Sequence, residues 1–270
     1  MKKLLLPFCL AISSVSGLQT KPWFGDVYAF YIDPSFSYSY FHEVQDAVSQ
    51  PKEVSNNYVA DVDMGFTPSE YVDVDLEMEF ARTPRQNFSF RSSALQGRFL
   101  LLDDIAGDPV SVTLGANIRA VGGKSTKDIS SPYASYLNFE LTSALGKELT
   151  FEDTWTMRGY VFGAVGYANH GSPWARAEAL FEGHVSNHQR LGIFSNGYFG
   201  FGTKREVTIH DFHGWGVYRH RSVDVGALYR YVFSLWGSLQ VSYSYRVYAK
   251  SYPEKEQFFI LQYSLPFSFF

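Results

Sequence analysis

Apolar and polar residues alternate one by one along most of this chain, the period of two that sends successive side chains to opposite faces of a β-strand. The clearest run is 71–83, where Val72, Val74, Leu76, Met78 and Phe80 alternate with Asp73, Asp75, Glu77 and Glu79. No helical spacing would separate those acids from those apolar residues. Residues 238–248 set Leu239, Val241, Tyr243, Tyr245 and Val247 against Gln240, Ser242, Ser244 and Arg246, and 223–231 set Val223, Val225, Ala227, Tyr229 and Tyr231 against Asp224 and Arg230. The chain closes on 258–270, where Phe259, Leu261, Tyr263, Leu265, Phe267 and Phe269 share one parity and Gln262, Ser264, Pro266 and Ser268 the other. One such face suits lipid and the other suits water. In water, the apolar face of this last strand would be an aggregation hazard if nothing covered it.

The same pattern predicts strands at 36–44, 58–66, 89–102, 110–120, 135–141, 155–167, 174–187 and 193–202, about twelve in all. The expected fold is all-β: a single transmembrane antiparallel β-barrel over 35–270 with both termini periplasmic. Such a barrel has short turns at the periplasmic end and longer loops outside, in strict alternation. Segments 44–58, 120–135 and 202–223 fall at external positions, and 67–70 and 234–237 at internal ones. The exception is 144–154, long for a periplasmic turn. Residues 23–31, before Asp33-Pro34, are read as part of a periplasmic N-terminal segment (18–34) packed under the barrel, because an extra strand would make the count odd.

The closing strand resembles the C-terminal assembly signal of Gram-negative outer-membrane barrels, which ends in an aromatic residue. Tyr263, Leu265, Phe267, Phe269 and Phe270 carry that resemblance, although Phe270 is off the aromatic parity. It implies an outer-membrane location and two partners, the membrane lipid and the outer-membrane assembly machinery. The other end agrees with export: Lys2 and Lys3 precede an apolar run from Leu4 to about Val15 and the small residues Ser16 and Gly17, the layout of a signal peptide over 1–17. The one cysteine, Cys9, lies inside it, so the mature chain would hold no disulfide or thiolate site. Beyond it no apolar run of about 18 residues offers a transmembrane helix. Segment 23–38, the 102–108 turn and the 263–270 ending also look like barrels of chlamydia-type intracellular bacteria.

Composition sharpens this only slightly. Aromatic residues make up 18 % of the chain, yet mean hydropathy is only −0.14, because lipid-facing and lumen-facing residues cancel in any window. The net charge of −4 with scattered basic residues gives no nucleic-acid footprint.

If the apolar parity faces lipid, Asp61, Asp63, Asp73, Asp75, Glu77 and Glu79 form an acidic lumenal wall. Arg98, Arg119, Arg158, Arg176, Arg230 and Arg246 join it inside, with Glu140, Glu178, Glu182 and Asp224. Acid and arginine on opposing walls would set a transverse field across a narrow channel for small solutes or ions, as in general porins. Otherwise these charges pair across a lumen too narrow to conduct. The loop 203–222 carries His210, Asp211, His213, Trp215 and His220, which suit a lid or a ligand-contact surface better than a metal site; no metal or cofactor is expected. His184-Val185-Ser186-Asn187 matches the H-x-S-N pattern of outer-membrane phospholipase A and the lipid A deacylases, with Asn196 available to orient the imidazole. That resemblance implies lipid ester hydrolysis by His184 and Ser186, but their parity is lumenal. Three functions follow: a porin-like channel or structural surface barrel, the hydrolase, and a non-conducting adhesin acting through 44–58 and 203–222.

Overall fold

The computed structural model describes residues 18–48, 52–151, 155–233 and 236–268; the expected leader and the closing Phe269 and Phe270 lie outside them. Twelve long strands follow one another: β1 (Ala29–Val44), β2 (Lys52–Ser69), β3 (Val72–Thr83), β4 (Gln86–Leu102), β5 (Ser111–Val121), β6 (Leu137–Phe151), β7 (Trp155–Ala168), β8 (Trp174–Ser186), β9 (Gln189–Gly200), β10 (Arg221–Phe233), β11 (Gly237–Lys250) and β12 (Gln257–Ser268). Each pairs antiparallel with its neighbours in sequence, and β12 returns to pair with β1, Ala29 against Ser268 and Tyr40 against Gln257. The sheet is a closed barrel with no free edge. A two-residue piece, Pro253–Glu254, adds to the rim of β1.

Alternation sorts the strands into an inner and an outer face; the exposed apolar residues are outside, and the inner face is mainly polar, with a buried apolar cluster of Tyr160, Phe162, Ala164, Leu180, Phe194 and Leu228 on β7–β10. Leu141, Ile193, Val165 and Leu95 are at least half exposed, whereas Asp63, Asp75 and Glu77 are fully buried. This is the reverse of a water-soluble protein, and such a surface is stable against hydrocarbon. Tyr263, Leu265 and Phe267 of β12 lie on the outer parity, with Gln262 and Ser264 buried on the inner one.

Several boundaries differ from the periodicity. β2 starts at Lys52 rather than at 58, so part of the expected external segment 44–58 is strand. β1 starts at Ala29, so 29–34 are strand rather than a segment under the barrel. Pro34 fits because pairing of β1 with β12 skips Asp33 and Pro34, and a missing N–H costs nothing there. Residues 144–154, expected as one long connection, are mostly strand, with β6 running to Phe151 and β7 starting at Trp155. In addition, 18–23 lie inside the barrel: Leu18, Gln19, Thr20, Lys21 and Trp23 are all at most 5 % exposed.

The close fit of the inner wall is clearest at Gly65. The Tyr31 ring of the neighbouring strand lies over it, so that a Cβ there would stand 1.9 Å from Tyr31 Cζ. The Tyr31 hydroxyl donates to Asp75, which fixes the ring in place. Gly65→Val is expected to displace the ring, strip Asp75 of a donor and destabilise the barrel by about 1–3 kcal/mol. The measure is a lower urea midpoint at unchanged slope; an unshifted midpoint would mean the ring moves freely.

Candidate functional site in the barrel lumen

The register of β1, β2 and β3 builds the acidic wall in rows. Asp33 stands opposite Asp63 and Asp63 opposite Glu77, while Ser35, Asp61 and Glu79 form the next row. Like charges directly opposite one another are destabilising, and in a closed lumen they lack the bulk water that would screen them. Arginines on β4 and β5 pair with most of the β3 acids. Arg98 on β4 binds Asp73 and lies 3.4 Å from Asp75, and Arg119 on β5 binds Glu77 and lies 3.5 Å from Glu79. Around the rest of the wall Arg176 pairs with Glu140 at 2.9 Å, Arg190 with Glu182 at 3.4 Å, Arg158 with Glu148, and Arg246 with both Asp224 and Glu256. Arg230 bonds Gln240 instead. Acid and arginine therefore pair locally, between strands one or two apart along the wall. Arg190, Glu148 and Glu256 complete these pairs, and sequence reasoning missed them; the lumenal parity of Arg190 and Glu148 was the available signal.

The space between the walls is filled from one end by the N-terminal segment. Thr20 Oγ1 donates to Glu178 Oε1 at 2.9 Å and lies 3.0 Å from Tyr160 Oη. Gln96 Nε2 donates to the Gln19 carbonyl at 2.8 Å and Arg98 Nη1 to the Lys21 carbonyl at 2.6 Å. Arg98 also lies over the Phe24 ring and Arg158 over that of Trp23. Trp23 reaches the turn after β4, where its indole N–H donates to Asp104 Oδ1 at 2.8 Å. Burial pushes the Asp104 carboxyl up, but donors from Ser111, the Glu148 N–H and Trp23 outweigh it and hold it below its ordinary value. Gly146 on β6 makes the room, since a Cβ there would come within 2.7 Å of Pro22 and 2.9 Å of Trp23.

At the opposite end the long loops fold over the mouth as a roof. Val207, Ile209, Phe212, Trp215 and Tyr218 of the 201–220 loop pack with Ile129, Phe41, Val44 and Tyr252 into one buried cluster. The Trp215 indole donates to the Ser131 carbonyl at 2.8 Å, and its backbone N–H to Tyr133 at 3.0 Å. Between roof and N-terminal segment a cavity of about 280 Å³ remains. It is lined by Ser37, Asn57, Asn117, Asn138, Asn196 and the pairs of Arg119 and Arg176, among others.

The histidines of that loop do not converge: His210 and His213 are exposed with Asp211, while His220 turns inward, stacked on Tyr252 at 5.0 Å. The H-x-S-N residues do not assemble either. Ser186 is exposed beyond an irregularity in the ladder, and its Oγ accepts from the His188 N–H at 3.4 Å. His184 stands opposite Arg190 and Asn196 opposite Glu178, a separation of about 20 Å along the strand at roughly 3.3 Å per residue. Asn196 is therefore out of reach of the imidazole.

No family model matches this sequence, and no curated protein matches it. Among solved structures it is similar to an outer membrane channel of Pseudomonas putida F1, with 11 % identity and a TM-score of 0.63 over 89 % of this chain and 96 % of that one. The translocator domain of the autotransporter NalP from Neisseria meningitidis aligns at 10 % identity over 91 % and 89 % of the two chains, with a TM-score of 0.45. The first of these likenesses places the fold among outer-membrane β-barrels.

The roof is sensitive to acid through His220. Burial first and the Arg246 charge second push this imidazole down to about 3. It is neutral in the folded state, while an unfolded histidine titrates near 6.5. Its contribution to stability is thus full above about pH 6.5 and is lost as the pH falls from there toward 3. The protection factors of the Trp215 and Gly216 amides, whose N–H groups bond Tyr133 and Ala134, exchange rates being divided by the intrinsic rate at each pH, are expected to fall across that window. His220→Asn should flatten the dependence; an unchanged profile in that variant would assign the acid response elsewhere.

Proposed function

We propose that this protein is a porin-like barrel of the Gram-negative outer membrane, closed at rest by its own N-terminal segment and conducting small polar solutes or ions once that segment leaves the lumen. One observation carries the proposal: residues 18–21 are buried in the lumen and 19–21 are held there by polar contacts with charged and amide side chains of the wall, the apolar anchoring being confined to Trp23. A barrel with only a structural role has no need of a polar filling that a short chain end can supply and withdraw. With the termini periplasmic, the plug would lie on the periplasmic side and the roof outside. The similarity to an outer membrane channel supports this class. Assembly through β12 by the outer-membrane machinery and contact with lipid around the apolar belt belong to the same proposal.

Two changes should open it by different routes. Removing residues 18–26 from the mature chain takes the plug away. Gly146→Val leaves the chain whole but puts a branched side chain where Pro22 and Trp23 sit. In planar bilayers the parent is expected to be almost silent at low voltage, and both variants to give stable single-channel steps. Without the plug, Asp33, Asp61 and Asp63 face the open lumen with few cations, so current should be cation-selective, and Asp61→Asn with Asp63→Asn should shift the reversal potential toward anions. Variants that fold, judged by heat-modifiable gel mobility, yet pass no current would overturn the channel and leave a structural barrel.

A further inference from the structure

Asp33, Asp63 and Glu77 form a single row across three adjacent strands, and all three are fully buried. Arg119 binds Glu77 from one side. At the Asp33 side the Gln19 amide approaches at 3.4 Å and Ser264 donates at 2.8 Å, and Lys21 exerts its charge there. The middle of the row is poorly served: both oxygens of Asp63 and Oε2 of Glu77 are buried without a normal hydrogen bond among the described residues. Carboxylates placed this way require a cation or protonate, since an uncompensated buried charge costs several kcal/mol.

Leu18 stands at this place. It is 1 % exposed, its backbone N–H is directed to the Glu77 carboxylate, and the next residue, Gln19, reaches Asp33. The sequence gives an independent reason to single out the same atom, because the charged start, the apolar run and the Ser16-Gly17 patch put the scissile bond of a signal peptide between Gly17 and Leu18. Hydrolysis of that amide by a leader peptidase consumes one water and leaves a carboxylate on Gly17 and a protonated amine on Leu18. An α-ammonium is a compact donor of three hydrogen bonds, charged in most of its population at neutral pH.

We propose that removal of the leader after Gly17 creates a binding partner for the acidic row: the Leu18 α-ammonium lodges in the lumen against Glu77 and Asp63, so that proteolytic processing supplies the cation that secures the plug. Leader cleavage thereby does more than release the chain from export. An uncleaved amide at this position brings one N–H and no charge. The inference rests on the plug but not on conduction, so a silent truncated barrel leaves it standing.

The test uses the processed protein extracted folded from membranes. Intact mass and N-terminal sequencing are expected to give Leu18 as the first residue; any other start overturns the proposal. Reductive methylation then reads the amine itself, with peptide mapping to separate it from lysines. The Leu18 amine is expected to react at least a hundredfold more slowly in the folded barrel than in urea, and a rate within a few-fold of the unfolded chain overturns the lodging. Asp63→Asn with Glu77→Gln should restore reactivity at least tenfold in a barrel that retains heat-modifiable mobility. Unchanged protection in that folded variant would mean that burial alone shields the amine, and the ion pairing would be refuted. If the double variant does not fold, Asp63→Asn alone serves the same comparison.

Discussion

Closure of the hydrogen-bond ladder between β12 and β1 is the constraint on which the rest of this structure depends. Hydrocarbon offers no partner to an unpaired N–H or C=O, so a sheet at membrane depth must return on itself. Once it has closed, the pleat leaves no choice about direction: a residue opposite an inward neighbour points inward. Asp33, Asp63 and Glu77 meet for that reason, fixed by the register of three strands rather than by attraction between them. The ring thus gathers like charges that would otherwise separate, and the contents of the lumen are the response to that crowding.

The response is assembled from three sources. Arginines of the neighbouring strands take the nearest acids, and breaking one such buried pair by removing a partner typically costs about 3–5 kcal/mol. The N-terminal segment supplies backbone carbonyls to Gln96 and Arg98 and a hydroxyl to Glu178. The loops provide the roof, a small apolar core seated on a polar shaft. The barrel is accordingly held from outside by lipid-facing residues with few specific contacts, and from inside by a polar network in which each member depends on its neighbours, joined by the apolar cluster around Trp23.

Much of the fold was legible in the chain because a two-sided strand writes its environment into alternate letters, as in 71–83 and 238–248. Legibility failed where the inside stopped being simply polar. At 144–151 the inward positions include Ala144 and Gly146, small because Pro22 and Trp23 pack there, so the alternation fades where the plug touches the wall. At Asp33-Pro34 a proline looked like a break, yet it occupies a gap in the β1–β12 ladder. The plug has no period to read, since its residues are chosen by contacts from several strands at once. For the site, parity alone gave which charges face inward. Which arginine answers which acid, and the failure of Asn196 to reach His184, depended on register, which a single strand does not reveal.

The plug is also covalently part of what it closes. Asp26 and Tyr28 turn the chain from lumen to wall, with Tyr28 in a left-handed conformation (φ 63°) and its N–H bonded to Thr67, and β1 follows at once. A stopper on so short a tether works at a local concentration of about a millimolar or more, whatever the density of barrels in the membrane. Dilution, turnover of neighbours or loss of a soluble partner leaves occupancy untouched. In the proposed channel the resting state is therefore set by the tether within each chain, and opening would demand a change in the energy of the lumen itself.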